Sequence, residues 1–485
     1  MEIDPRQVKR KTFSGVGVLM IRNLFMQPIS FLGFLFLSVY LQTWELGVFW
    51  AVSEIVGFLG YFSDVGLAAA VIQKKAKPKL NELRATFTAQ QLLVISSVLI
   101  AFALTPALEK RFDFENGRFL YWMLLLGFIT SSLKTIPSVL LERKLKFGKI
   151  AIVDLVEQTI FTGLAVLLAW KGFGVNSWAW AMFFRSLVGV SLIYIFCPWK
   201  IGFNFRFREI KGLFNFGIPF QLNSLLAMVK DRLMNVFLWG ALGSHGVGIL
   251  GWAQRWAQMP LRFLMDQVIR VTFPAYSKLQ DQKEYLKRAL ERSVFLISLL
   301  IFPVLAGMGF LMPKVVMVFP KYSKWAVALI PFWLYLGSFY WSVVTTPLVN
   351  AFNSVGKVKI TLKLMVLWTG LTWAITPVLA KLIGVNGAAL GLFLVSSTSF
   401  IAWIMAKKEF KISFKRILLV PVLGTLIMIG SLYLTDKLFA DSLTDIVFLA
   451  AIGGSVYLTT AYLFAKGEVD WFINELLVWK KSLKK

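Results

Sequence analysis

Apolar runs of about 20 to 30 residues recur along almost the whole chain, separated by short polar joints. Each run can cross the roughly 30 Å hydrocarbon core of a bilayer as a helix. In that medium every backbone N–H and C=O must be paired within its own segment, so a chain of this pattern folds as a bundle of spanning helices. Runs near 13–41, 45–73, 85–107, 119–141, 150–170 and 174–197 make a first set of six. A second six fall near 213–240, 246–274, 293–312, 325–353, 364–380 and 385–406, and two more near 417–435 and 446–465 bring the total to about fourteen. The predicted class is an all-α polytopic membrane protein. Residues 1–204 form an N-terminal lobe, 205–412 a C-terminal lobe, and 413–485 two extra spans and a tail. In that tail Val469, Phe472, Ile473, Leu476 and Trp479 recur at helical spacing ahead of lysines, which suits a cytoplasmic amphipathic helix lying on the inner surface.

Composition narrows the class further. The chain of 485 residues is 58% hydrophobic and 16% charged, yet carries a net charge of +27. A nucleic-acid-binding protein would put such charge on a solvated domain, whereas here it sits in short joints between apolar runs, which argues against that partner. The joints on the N-terminal side, from Arg6–Lys11 through Lys466–Lys485, hold 35 of the 52 lysines and arginines, and the opposite joints hold nine. That asymmetry predicts both termini in the cytoplasm and favours anionic headgroups at the inner leaflet. The basic N-terminus leads into a full-length span without a small-residue cleavage pattern, and it reads as a retained anchor. Cys197 is the only cysteine and His245 the only histidine, so no cluster for a transition metal is expected. Cys197 reads as a small apolar residue at a helix end, and His245 as a solvated loop residue.

An offset of 202 residues brings Gly15 onto Gly217, Trp50 and Ala51 onto Trp252 and Ala253, and Asp64 onto Asp266. With six spans per lobe the second would start on the same side as the first. The repeats would then be parallel, with a central cationic cavity between them.

The charges left inside the spans are the candidates for function. Arg255, Arg262, Asp266 and Arg270 fall within a sector of about 80° on one regular helix. An arginine at mid-bilayer costs about 2.5 to 3.5 kcal/mol on insertion scales, so such a stripe must face protein or a water-filled cavity. Arg22, followed by Asn23, Gln27 and Pro28, lies about 13 Å into the first span, too deep for easy snorkelling. Lys134 and Arg185 are further intramembrane cations, and Lys230, Asp231 and Arg232 form a run expected to pair locally or snorkel. Among the acids, Asp154 and Glu157 are three apart on one helical face. Two roles stay open for them and for Asp64 and Asp266: H+ or Na+ coupling, or counter-ions to nearby cations. No resident cofactor or metal is expected.

Three stretches carry a resemblance: FSDVGLAAAVIQKK after the second run, ERKLKFGKIAIVD after the fourth, and GILGWAQRWAQMP leading into FPAYSKLQ. Together and in this order they resemble the polysaccharide transporter family, the Wzx-type flippases of lipid-linked oligosaccharides. That family shares a superfamily with the lipid II flippases and the multidrug and toxin extrusion transporters. The resemblance implies a polyprenyl-diphosphate-linked glycan as cargo, moved from inner to outer leaflet by alternating access in a prokaryotic cytoplasmic membrane. It carries Arg22 and Arg255 over as cavity arginines, with Asn23 standing where the lipid II flippases have aspartate. It further implies a monomer working beside polysaccharide polymerase machinery, and no catalytic chemistry. Guanidinium groups suit such a cargo because they bind phosphate oxygens through paired, charge-assisted hydrogen bonds. Two other readings compete. A cation-coupled drug antiporter of the same superfamily would prefer acidic and aromatic walls, and a membrane glycan polymerase or ligase would need a catalytic outer loop, whereas these joints are short.

Overall fold

Every regular element among the described residues is helical, as hydrocarbon demands of a backbone that cannot turn to water for hydrogen bonds. The computed structural model describes residues 5–61, 63, 66–74, 78–111, 115–211, 228–438 and 442–466. Within them eleven helices are long and apolar enough to cross a membrane, or twelve if one bent pair counts as a single span. The chain is a multi-pass membrane protein, with fewer such helices in the described part than the fourteen expected. The surface-helix tail from residue 467 onward and the start of the run at 213–240 lie outside the described residues.

The chain divides into two compact units, Met1–Gly248 and Ile249–Lys485. The first contains α1 (Pro5–Tyr40), α2 (Thr43–Tyr61), α3 (Leu67–Gln73), α4 (Leu80–Arg111), α5 (Arg118–Ser132), α6 (Thr135–Arg143), α7 (Phe147–Trp170) and α8 (Asn176–Phe196). The unit boundary falls within α9 (Met234–Pro260). The second unit continues with α10 (Asp266–Lys278), α11 (Lys283–Val318), α12 (Leu329–Ser354), α13 (Val358–Ile383), α14 (Val385–Ser397), α15 (Phe400–Phe410), α16 (Phe414–Asp436) and α17 (Leu443–Phe464).

Two expected spans break and one expected joint closes up, each for a local reason. The run at 45–73 is not one helix: α2 stops at Tyr61, and α3 starts after Gly66, whose φ of 73° an L side chain rarely tolerates. The run at 119–141 bends by 41° between α5 and α6. Ser132 and Thr135 on either side of that break are held from α4. Ser132 Oγ donates to Gln91 Oε1 at 3.1 Å, and Gln90 Nε2 donates to Thr135 Oγ1 at 2.6 Å. The expected joint between 240 and 246 shrinks to a kink at Gly243, with φ 69° and ψ 178°.

The first two stretches behind the family resemblance meet in space. Leu67, Ala70 and Val71 of α3 pack with Ile136 and Val139 of α6. Arg143 at the end of α6 donates to the carbonyls of Val71, Ile72 (3.0 Å) and Lys74 (2.7 Å), satisfying the orphan acceptors at the C-terminus of α3. Cys197 lies at the end of α8, buried beside Leu141, Val153 and Ile193, as expected of a small apolar residue there. His245 is not in a loop: it sits in α9, its Nδ1 2.6 Å from Thr43 Oγ1.

Candidate functional site

The first unit gathers five of the charged candidates around α7. That helix approaches α1 closely because position 33 is glycine: a Cβ there would lie 2.2 Å from Thr162 Cγ2. Gln158 on the same helix donates to Ser30 Oγ at 3.0 Å and to Thr162 Oγ1 at 3.1 Å. These contacts set the register of α1 against α7 and bring Arg22 Nη1 to 2.5 Å from Asp154 Oδ2. The arginine also donates to Asn23 Oδ1, from Nε at 3.3 Å and Nη2 at 3.2 Å. A neutral residue at 23 thus occupies guanidinium donors without adding charge.

One turn further along α7, Glu157 is 4% exposed and accepts from two directions. Lys134, placed at the break between α5 and α6, donates to Glu157 Oε1, and Arg185 Nε of α8 lies 3.5 Å from Glu157 Oε2. The Arg185 guanidinium also stacks over the Phe161 ring at 5.3 Å. Room for the carboxylate comes from α8, where a Cβ on Gly189 would fall 1.7 Å from Glu157 Oε1. The i, i+3 acids are therefore both in ion pairs, and three cations from three other elements face two carboxylates.

A second pairing in this unit was not legible as a partnership in the sequence. Arg232 sits in a π-helical turn, Val229–Leu233, and its Nη1 donates to Glu54 Oε2 of α2 at 3.1 Å. Asn235 Nδ2 donates to the other oxygen at 3.3 Å, and Gly57 leaves space for the guanidinium, since a Cβ there would lie 1.9 Å from Nη1. Lys230 does pair locally, 2.7 Å from Asp231. The signal for the Glu54 contact was only a glutamate inside an apolar run, because its partner is 178 residues away.

The other arginines lie in the second unit. Arg255 is exposed on α9, between two buried tryptophans, Trp252 and Trp256. Trp252 stacks on Trp325 with ring centroids 5.0 Å apart and planes 6° from parallel. Arg262 follows Pro260 in a second π-helical turn, Leu261–Met265, and donates to Gln258 Oε1 from Nε at 3.1 Å and Nη2 at 2.9 Å. That turn corrects the expected stripe: a π turn inserts one residue, so the helix beyond it is rotated by about 100° relative to Arg255. The side chains of Asp266 and Arg270 lie outside the described residues, as does Asp64.

A model of the family described as polysaccharide biosynthesis protein matches residues 37–330. Among curated relatives, the succinoglycan biosynthesis transport protein ExoT of Rhizobium meliloti is 23% identical over 59% of this chain, a match spanning 57% of that protein. An uncharacterized membrane protein in the cps region of Klebsiella pneumoniae is 24% identical over 94% of this chain and 96% of its own length. The lipopolysaccharide biosynthesis protein WzxC of Escherichia coli is 22% identical over 62% and 61%. In fold, the chain matches the lipid II flippase MurJ in an inward closed conformation, with a TM-score of 0.77 at 16% identity over 93% of this chain and 99% of that one. An inward-facing multidrug resistance MATE transporter of the MOP superfamily matches with a TM-score of 0.61 at 17% identity over 79% and 94%. The family resemblance carried by the three sequence stretches is thus borne out: this chain belongs to the polysaccharide biosynthesis protein family and has the fold of the MOP-superfamily transporters.

Proposed function

We propose that the chain translocates a polyprenyl-diphosphate-linked oligosaccharide from the inner to the outer leaflet of a prokaryotic cytoplasmic membrane, by alternating access and with both termini cytoplasmic. The observation that carries this reading is the excess of cations over carboxylates in the ion-paired cluster around α7: Arg22, Lys134 and Arg185 against Asp154 and Glu157. Such a surplus suits an anionic cargo. A carrier of organic cations would need the reverse. Family membership and the printed functions of the relatives support the same reading, and they favour transport over catalysis.

In this mechanism Arg22 binds the diphosphate, with Lys134 and Arg185 extending the positive field around it, and Arg255 and Arg262 of the second unit are proposed as further phosphate-binding arginines. Arg22 is 23% exposed and Asp154 33%, so an incoming phosphate can exchange with the carboxylate while water solvates the released acid. Asp154 and Glu157 act as counter-ions rather than carriers of H+ or Na+. Protonating Glu157 would leave two nearby cations uncompensated around a carboxylate that is 4% exposed.

Reconstitution into vesicles with a fluorescent undecaprenyl-diphosphate disaccharide tests the reading. Wild type is expected to expose inner-leaflet label to an external quencher at least tenfold faster than protein-free vesicles, and Arg22→Ala to lose most of that gain. Rates equal to those of empty vesicles for the wild type would contradict it.

A further inference from the structure

After α8 the chain runs without regular secondary structure over residues 201–206 before a short helical turn at Phe207–Ile210. This segment is tied to the first turns of α4. Arg84 Nε donates to Lys200 O at 3.3 Å, the Asn204 amide N donates to Thr88 Oγ1 at 2.8 Å, and Asn204 Nδ2 donates to Asn81 O at 3.0 Å. Asn204 Oδ1 in turn accepts from the Arg206 amide at 3.0 Å. Gly202 permits the close pass, since a Cβ there would lie 2.7 Å from Arg84 Nε. Gly202 and Asn204 face α4 and Phe203 rests against Phe87 of α4 with ring centroids 5.9 Å apart, while Ile201, Phe203 and Phe205 remain 52%, 66% and 66% exposed.

Three large apolar side chains left largely exposed along a segment anchored by specific hydrogen bonds form an apolar patch that water disfavours. The residues around them are basic: Lys200, Arg206, Arg208 and Lys211 are exposed, and Arg84 is half-buried. The nearby acid Glu82 is taken up by Lys74. An apolar patch edged by cations matches the boundary between acyl chains and headgroups, and the positive edge selects anionic headgroups. We propose that this strap is a binding site for anionic phospholipid of the phosphatidylglycerol class. Arg84, Lys200 and Arg206 take the phosphate, and Ile201, Phe203 and Phe205 enter the acyl boundary. The site is separate from the cluster around α7 and does not rest on the cargo assigned to it.

Two measurements test it. Native mass spectrometry after adding dioleoyl phosphatidylglycerol or dioleoyl phosphatidylcholine compares the wild type, an Arg84→Gln/Lys200→Gln/Arg206→Gln variant and a Lys283→Gln/Lys287→Gln/Arg288→Gln control. The strap variant is expected to carry at least threefold fewer phosphatidylglycerol adducts, with phosphatidylcholine adducts and the control unchanged. Equal losses in the control, or equal losses of both lipids, would overturn the proposal. In a Cys197→Ala background, a nitroxide on Phe205→Cys is expected to favour collisions with oxygen over aqueous nickel chelate in bilayers. Preference for the chelate would place the strap in water, and protection from both would place a protein partner on it; either result overturns the assignment.

Discussion

Arg22 and Arg255 occupy similar places in the sequence, each an arginine in an apolar helix five or six residues ahead of a proline, yet their surroundings are built differently. Arg22 is held by charge: Asp154 pairs with it across the α1–α7 contact, and the glycine at 33 lets that contact close. Beside Arg255 the helix is packed through aromatic rings. Trp252 and Trp325 are fully buried and stacked, and Phe332 and Tyr322 close the cluster. The same residue type thus stands beside an ion pair in one unit and beside a packed aromatic cluster in the other. The two regions should therefore fail under different substitutions.

The largest expected effect is on the packed side. Trp252→Ala removes a fully buried ring from a stacked pair, and a loss of about 4 kcal/mol in unfolding free energy is expected, read by denaturant titration in detergent. Glu157→Gln tests the charged side. It keeps the volume but strands Lys134 and Arg185 beside a buried neutral amide, for an expected loss of about 3 kcal/mol. Restoring most of that loss with Lys134→Met in the same chain would confirm that the cost is electrostatic; no rescue would break the comparison. Gly189→Ala sharpens it, because its Cβ would meet Glu157 Oε1 at 1.7 Å while leaving every charge in place. About 2 kcal/mol is expected there, from displacement of the carboxylate.

The smallest effect is expected outside both regions. The Tyr276 hydroxyl donates to Ser293 Oγ at 2.6 Å and ties α10 to α11. Burial pushes this phenol up to about 12, so it stays protonated well past the range of an exposed tyrosine. Because the folded value lies above the unfolded one, the tie should stabilise fully below pH about 10 and weaken as pH rises through 12. Tyr276→Phe should cost about 1 kcal/mol at neutral pH and lose its difference from wild type in strong alkali, as melts across pH would show.

How much of this was legible in the sequence depends on the range of each interaction. Span length is a local property, so the positions of α4, α7, α8 and the helices from α11 onward could be read from hydropathy alone. The i, i+3 spacing of Asp154 and Glu157 put both acids on one face, but not their partners, which depend on how α1, α5, α6 and α8 pack around α7. Breaks were less legible. Gly66 and Gly243 interrupt helices through positive φ, and many other glycines here do not. The π turns at Val229–Leu233 and Leu261–Met265 leave no clear mark in composition, so a stripe drawn on a regular helix lost its register at Arg262.

The central claim is that span arginines of a polysaccharide biosynthesis family member hold a diphosphate-linked glycan. Mass spectrometry of the lipids that co-purify in mild detergent with the wild type and with an Arg22→Ala/Arg255→Ala variant tests it most directly. The account predicts a polyprenyl-diphosphate glycan bound to the first and depleted at least tenfold in the second. The same lipid retained by both would contradict the assigned arginines, and its absence from both, alongside abundant bound organic cations, would contradict the cargo itself.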